Sequence, residues 1–198
     1  MSLLLETIRF QDGLPVRLEY HLQRMKNSLS ELSLSDKQIN LLPQLECPPH
    51  LLKGRVKCRV YYTESIESVT FEPYIPGVIS SLKCVEAPDI RYSLKFADRG
   101  EIEALRKGVK EDDIIICRNG MLMDASFANI ILRKGDRFYT PAFPLLKGTQ
   151  RQYLLDTGFV TERIIMIEDL REFNEIRLIN AMLDPYDLLP VPAEKVYC

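Results

Sequence analysis

The chain has 198 residues, 46% of them hydrophobic, enough for one core or for two small lobes sharing an interface. Its 26 basic and 28 acidic residues give a formal net charge of −2 with no Lys/Arg block, which removes the electrostatic basis for binding nucleic acid. The five cysteines, at 47, 58, 84, 117 and 198, include no C-x-x-C pair and are joined by only two histidines, so neither a zinc site nor a disulfide framework is expected and a reducing cytoplasm is the expected compartment.

The opening segment, "MSLLLETIRF", has a short apolar run without a basic flank, so no signal peptide is expected. No apolar run approaches the roughly 20 residues that span a bilayer, so no membrane partner is expected. "LLLETIRF" (3–10) reads as a strand, "QDG" as a turn and "LPVRL" as the returning strand. From Glu19 the period changes. Leu18, Leu22, Met25, Leu29 and Leu32, at spacings of four, three, four and three, predict one face of a helix with Arg24, Lys26 and Glu31 off the stripe. "SLSDKQINLLPQL" (33–45) predicts a second short helix that stops before Pro43. "RVKCRVYYT" (55–63) alternates with Val56, Cys58, Val60 and Tyr62 on one face, "SVTFEPY" (68–74) alternates likewise, and the short gap predicts a tight hairpin.

"IPGVIS" (75–80) has the composition of a linker, which divides the chain into a small N-terminal lobe, 1–78, and a C-terminal lobe, 79–198. Beyond it come a strand in "SLKCVEA", a helix in "RGEIEALRKGV", a strand in "DDIIICR", an "NG" turn, then strands in "MLMDAS", "ANIILRK" and "RFYTPA". "GTQRQYLLDTG" predicts a helix capped by Gly158. "VTERIIMI" reads as a strand, "EDLREF" as a helical turn and "EIRLINAML" as the last strand. Strands and helices mix without strict βαβ alternation, which predicts an α+β fold.

Four places carry residue types suited to chemistry. Lys95, between Leu94 and Phe96, is either a surface cation or a lysine held in a site. Asp124, in the segment after the "NG" turn, is either turn chemistry or a carboxylate aimed into a cleft, with Asn129 close by. Gly148 and Thr149 open a predicted helix whose free N–H groups favour an anion, Thr149 being either the cap or an anion donor. Asn180 and Ala181 form a small polar pair where the last strand ends, the kind of place where binding loops form. Arg24 reads locally as a solvated surface residue.

In order, "LLLETIRFQDGLPVRLEYHLQRM", "LKFADR", "NGMLMDASFANIIL", "TPAFPLLKGTQRQ" and "EIRLINAML" resemble the class IV aminotransferase family. These are the fold-type-IV pyridoxal 5'-phosphate (PLP) enzymes, among them branched-chain and D-amino-acid aminotransferases and 4-amino-4-deoxychorismate lyase. The resemblance implies a two-lobed fold of the D-amino-acid aminotransferase kind with a reduced N-terminal lobe, PLP as cofactor, and a homodimer.

The resemblance also assigns roles. Lys95 is the lysine that holds PLP as an internal aldimine and later moves the proton at Cα, which needs an amine partly withdrawn from water. Asp124 stands where the family has a glutamate beside the pyridine nitrogen, one methylene shorter. Arg24 pairs with the cofactor phosphate, the N–H groups of Thr149 and Gln150 cradle it, and Asn180 and Ala181 form a second phosphate and substrate loop. Tyr92 and Asn129 lie near the cofactor. Two features depart from the family: the loop between "RVYYT" and "SVTFEP" is only a tight turn, and Asp98 replaces the usual asparagine. "NAML" matches the lyase branch, which implies release of pyruvate from aminodeoxychorismate to leave 4-aminobenzoate. An amino-acid aminotransferase is the alternative, and a non-catalytic PLP-binding protein a further one.

Overall fold

The structure, a computed structural model, describes residues 2–33 and 41–198. The chain forms two compact units, Met1–Ile75 with Leu94–Asp98, and Pro76–Ser93 with Arg99–Cys198.

The first unit contains β1 (Leu4–Gln11), β2 (Leu14–Pro15), α1 (Leu18–Glu31), β3 (Arg55–Tyr62) and β4 (Ile66–Pro73). Its four strands form one antiparallel sheet in the order β2-β1-β3-β4. The predicted alternation in β3 holds: Val56, Cys58, Val60 and Tyr62 are buried and pack with Leu4, Ile8 and Phe10 of β1 and Met25 and Leu29 of α1. β4 also alternates over 68–71, with Val69 and Phe71 turned to the core and Ser68 and Thr70 exposed, but it buries no residue fully. It is an edge strand, and Val69 and Phe71 only half-cover the core. The returning strand is two residues long, far shorter than expected.

The leucine stripe of α1 faces the core, and the buried face is wider than the stripe. His21, Met25, Ser28 and Leu29 are buried, while Leu18, Leu22 and Leu32 are partly covered at its margins. The second helix expected over 33–45 lies largely outside the described residues, and the described part ends in a single 3-10 turn, Leu42–Gln44, which includes Pro43. Residues 94–97 run along the free edge of β1 beyond the reach of β2. Leu4 bridges Phe96, the Leu5 N–H donates to the Lys95 carbonyl at 2.9 Å, and the Ala97 N–H donates to the Leu3 carbonyl at 2.9 Å.

The second unit contains β5 (Leu82–Glu86), α2 (Gly100–Arg106), β6 (Asp113–Arg118), β7 (Met121–Ala125), β8 (Asn129–Lys134), β9 (Arg137–Pro141), α3 (Thr149–Asp156), β10 (Val160–Arg163), β11 (Glu175–Ile179), β12 (Val191–Pro192) and β13 (Val196–Tyr197). The described strands form a nine-stranded sheet that runs β10-β9-β8-β7-β6-β5-β13, with β11 paired to β8 and β12. Pairs β5–β6, β9–β10 and β5–β13 are parallel and the rest antiparallel, a mixed α+β arrangement. "VTERIIMI" is a strand only to Arg163, and "EDLREF" falls in a 3-10 segment, Ile167–Glu172.

Asn119 and Gly120, at φ 52° and 74°, make the β6–β7 turn; both must be left-handed in such a turn, which explains the residue pair. Strands β6 and β8 are apolar throughout their centres because both faces are covered. Leu82, Ile115, Leu122, Ile130, Leu132, Ile176 and Leu178 share one core, and Ile131, Ile179 and Val160 pack under Leu154 of α3. One extra residue sits in β7: Ile115 faces Ala125 while Cys117 faces Leu122. This bulge lies at Met123–Asp124 and re-aims both side chains.

Candidate active site

Asp124 follows from that bulge and from the tight return after it. The Ala125 N–H donates to the Ala128 carbonyl, which brings Asn129 opposite Asp124 at the start of β8. Asn129 Nδ2 donates to Asp124 Oδ1 at 2.7 Å and to the Leu146 carbonyl at 2.8 Å. The Leu146 N–H donates to Asp124 Oδ2 at 2.8 Å. Asp124 is 4% exposed. Burial pushes its carboxyl up from 3.8 to about 6, against the hydrogen bonds from Leu146 and Asn129 and the charge of Arg151, which favour ionisation. The structure therefore makes Asp124 a buried carboxyl fixed by donors from two segments, not a turn residue.

Gly148 is required by the same network. A Cβ at this position would stand 1.9 Å from Asn129 Oδ1, so only a glycine lets the chain pass. Gly148 itself caps α3, and no side chain caps the helix. Thr149 is thus the first helical residue, not the cap, and the N–H groups of the first turn are left for an outside acceptor. Thr149, Gln150 and Arg151 are all buried. Gln150 Nε2 donates to Asp184 Oδ1 at 3.0 Å, while its Oε1 is buried without a hydrogen-bond partner. Arg151 is occupied structurally, with Nη2 donating to the Pro141 carbonyl and to Glu162.

Asn180 and Ala181 lie in the turn after β11, where Ile179 pairs with Asn129. Asn180 Nδ2 donates to the Phe127 carbonyl at 3.3 Å, and its Oδ1 accepts the Met182 N–H at 2.8 Å. The second unit therefore brings Asp124, Asn129, Gly148, Thr149, Gln150 and Asn180 into one neighbourhood.

Arg24 and Lys95 belong to the first unit. Arg24 is not a solvated surface residue: its side chain is 13% exposed, and Nε and Nη2 donate to Glu6 Oε1 and Oε2 at 2.8 and 2.6 Å. His21 Nδ1 stands 2.6 Å from Glu6 Oε2. Glu6 projects from the core face of β1 between Leu4 and Ile8 and is fully buried. Burial opposes its charge, but the Arg24 guanidinium and hydrogen bonds from His21 and Arg24 hold the carboxyl down at about 2. An ionised carboxylate only accepts, so Nδ1 of His21 carries the proton. Burial, more than any other cause, lowers the His21 pKa; Arg24 and Lys95 act in the same direction, and Glu6 opposes them. Lys95 is half-buried, and its backbone is fixed to Leu5. The sequence reading missed Glu6 and His21. The available signal was a carboxylate at an apolar position of an alternating strand, which demands a buried partner.

Comparison with known proteins gives a consistent result. Residues 60–190 match the family model for amino-transferase class IV. An uncharacterised protein of Haemophilus influenzae is 36% identical over 183 residues, covering 90% of this chain and 97% of that protein. A crystal structure from Haemophilus somnus, described as a candidate 4-amino-4-deoxychorismate lyase, is 34% identical with a TM-score of 0.81 and covers 92% of this chain and 97% of that one. A hypothetical aminotransferase from Mycobacterium tuberculosis, in PLP-bound form, is 17% identical with a TM-score of 0.77, covers 98% and 81%, and shares the fold.

Proposed function

We propose a reaction for this chain from one premise: it belongs to the class IV aminotransferase family, whose α+β fold it has in a short form with a reduced N-terminal unit. The family is PLP-dependent, and the reading is of a PLP enzyme acting at the Cα of an amino acid or amino-cyclohexadiene, best described as a 4-amino-4-deoxychorismate lyase that releases pyruvate and leaves 4-aminobenzoate. The observation that carries it is Asn129, which ties a buried carboxyl to the uncapped start of a helix. A molecule with a basic ring nitrogen at one end and a phosphate at the other matches that pair of groups.

The residues present fit such a cofactor. Asp124 is lifted to about 6 by burial, and a cationic N–H beside it would draw it back toward ionisation. Asn129 Nδ2 holds the carboxyl in orientation by donating to Asp124 Oδ1. The first-turn N–H groups of Thr149 and Gln150, with Gly148 keeping the approach open, would bind phosphate, the group to which the resemblance also assigns Arg24. Glu6 and His21 fix the Arg24 guanidinium. Asn180 and Ala181 would border phosphate and substrate. Bound PLP supplies an electron sink for charge developing at the substrate Cα. Lys95 would carry the cofactor and move protons between Cα and the leaving fragment through Nζ. The homodimer implied by the resemblance is part of this proposal. The lyase assignment leans on the "NAML" segment and on the description of the Haemophilus somnus relative.

The test begins with borohydride reduction of protein incubated with PLP, followed by peptide mapping. A pyridoxyl label on Lys95 is expected, and a label elsewhere, or none, refutes the cofactor assignment. Pyruvate and 4-aminobenzoate should then form from aminodeoxychorismate without any 2-oxo acid present. Rapid amino exchange with alanine or glutamate, and no pyruvate released from aminodeoxychorismate, would make the chain an aminotransferase. Silence in both, with the cofactor bound, would reject catalysis on these substrates.

A further inference from the structure

We propose that the second unit holds a subsite for a ring-bearing carboxylate, built around Arg118. It deepens the reading above by naming a substrate or product class, and it rests on that reading only for the identity of the ring compound. Binding itself requires neither Lys95 nor the cofactor.

A cavity of about 450 Å³ lies within this unit, the size of a small-molecule site. Its lining is mixed: Ile90, Met123, Pro144 and Leu145 supply apolar wall, with Tyr92 beside them, and polar groups make up the rest. Arg118 is the charged group set into these walls. It is half-buried, and its Nη2 donates to the Ile90 carbonyl at 2.7 Å, which fixes the guanidinium plane. Its Nε is buried and has no hydrogen-bond partner. A buried N–H left in this state is unfavourable, and a guanidinium that lacks one of its hydrogen bonds gains from a charged acceptor nearby.

The position is not explained by the hairpin that carries it. Arg118 pairs with Met121 across the Asn119-Gly120 turn, and that closing pair has no need of an arginine. At the rim Arg91 adds a second positive charge, and Asp89 is the acidic residue that lines the cavity. Both rim residues are exposed, so water screens them, whereas Arg118 is only partly screened.

A fixed guanidinium beside the Ile90, Met123 and Leu145 side chains suits a carboxylate attached to a ring, the charge meeting Arg118 and the ring those side chains. Free phosphate would use the charge alone and leave the apolar part of the lining without a partner. The cavity also adjoins the residues described above. Met123 directly precedes Asp124, and Leu145 directly precedes Leu146, whose N–H holds Asp124. A ring bound against Met123 and Leu145 therefore meets the wall that supports the candidate catalytic carboxyl.

The probes are benzoate and 4-aminobenzoate, with benzamide and inorganic phosphate as comparators, titrated calorimetrically into cofactor-free and PLP-treated protein. Both carboxylates should bind saturably in each form, benzamide and phosphate far more weakly. Arg118→Met should lose at least about tenfold in affinity for benzoate, the consequence of removing a charged hydrogen bond. In unmutated protein, benzoate should slow phenylglyoxal modification of Arg118, read by peptide mass spectrometry, so the outcome does not depend on the variant folding. Unchanged benzoate affinity in a folded Arg118→Met protein, unprotected Arg118, or equal competition by phosphate or benzamide overturns the proposal. A missing pyridoxyl label on Lys95 refutes the reaction and leaves this binding result untouched, so the two failures are distinguishable.

Discussion

Replacing Gly148 by alanine perturbs one contact and leaves the backbone unstrained, because φ −70° and ψ 146° suit any residue. The added Cβ meets Asn129 Oδ1 at 1.9 Å and Asn129 Cγ at 3.1 Å. The amide must move by well over an ångström, and its hydrogen bonds at 2.7 and 2.8 Å cannot follow. One of them ends on a buried carboxylate and is worth about 1.5–3 kcal/mol, and the other about 1 kcal/mol. The stiffer unfolded chain returns about 0.4–1 kcal/mol. The net loss is then about 2–3 kcal/mol, or about 5–10 °C in Tm for a chain of this size. Urea denaturation of the cofactor-free protein at pH 8, where Asp124 is ionised, measures it. In an Asn129→Ala background the same change should be neutral or slightly stabilising, since its target is gone. A cost below about 0.5 kcal/mol in the wild-type background, or the same cost in both, would show that Gly148 is not held open by Asn129.

Asp124 makes stability depend on pH in a defined direction. Its folded pKa is raised from 3.8 to about 6, so its contribution is complete below about pH 4 and is lost as pH rises through about 6, about 3 kcal/mol in all. The stability of wild type relative to Asp124→Asn should fall by about that amount between pH 4 and 8, and a flat difference refutes the assignment. Glu6 has the opposite sign: its carboxyl is lowered from 4.5 to about 2, so its contribution is present above pH 4.5 and lost as pH falls toward 2. Glu6→Gln should remove that acid slope and, by taking away the carboxylate charge that faces the mostly buried Arg24, cost about 3–5 kcal/mol at pH 7. A loss under about 1 kcal/mol in urea titration would contradict the ion-pair account.

The elements legible in the sequence are those set by local chemistry. The alternation in β3, the two left-handed residues of the Asn119-Gly120 turn and the Gly158 stop after α3 each depend on neighbours within a few positions. The leucine stripe of α1 does face the core, but its spacing does not show that the buried face widens to His21 and Arg24, which Glu6, a carboxylate on the opposing strand, draws inward. The segments β12 and β13 are two residues each, too short to show a period. In the candidate site, motif order named Asp124, Asn129 and Gly148, but not the relation among them. That relation is a steric exclusion between residues that adjoin only after β8 and the α3 approach are packed. Lys95 was ambiguous for the same reason, since its backbone partner is Leu5.

That partnership imposes an order on synthesis. Strands β1 to β4 can pair as soon as β4 has left the ribosome, but the Leu3–Leu5 edge must wait until residues 94–97 emerge. During that interval the Leu5 N–H and the Leu3 carbonyl form an open sheet edge, and the core lacks the Leu94 side chain. Closing so long a loop is an entropic delay that local pairing does not face. The nascent chain is therefore most exposed to edge-to-edge association just before the lysine segment arrives. The segment that would carry the reactive amine thus also protects the sheet it completes.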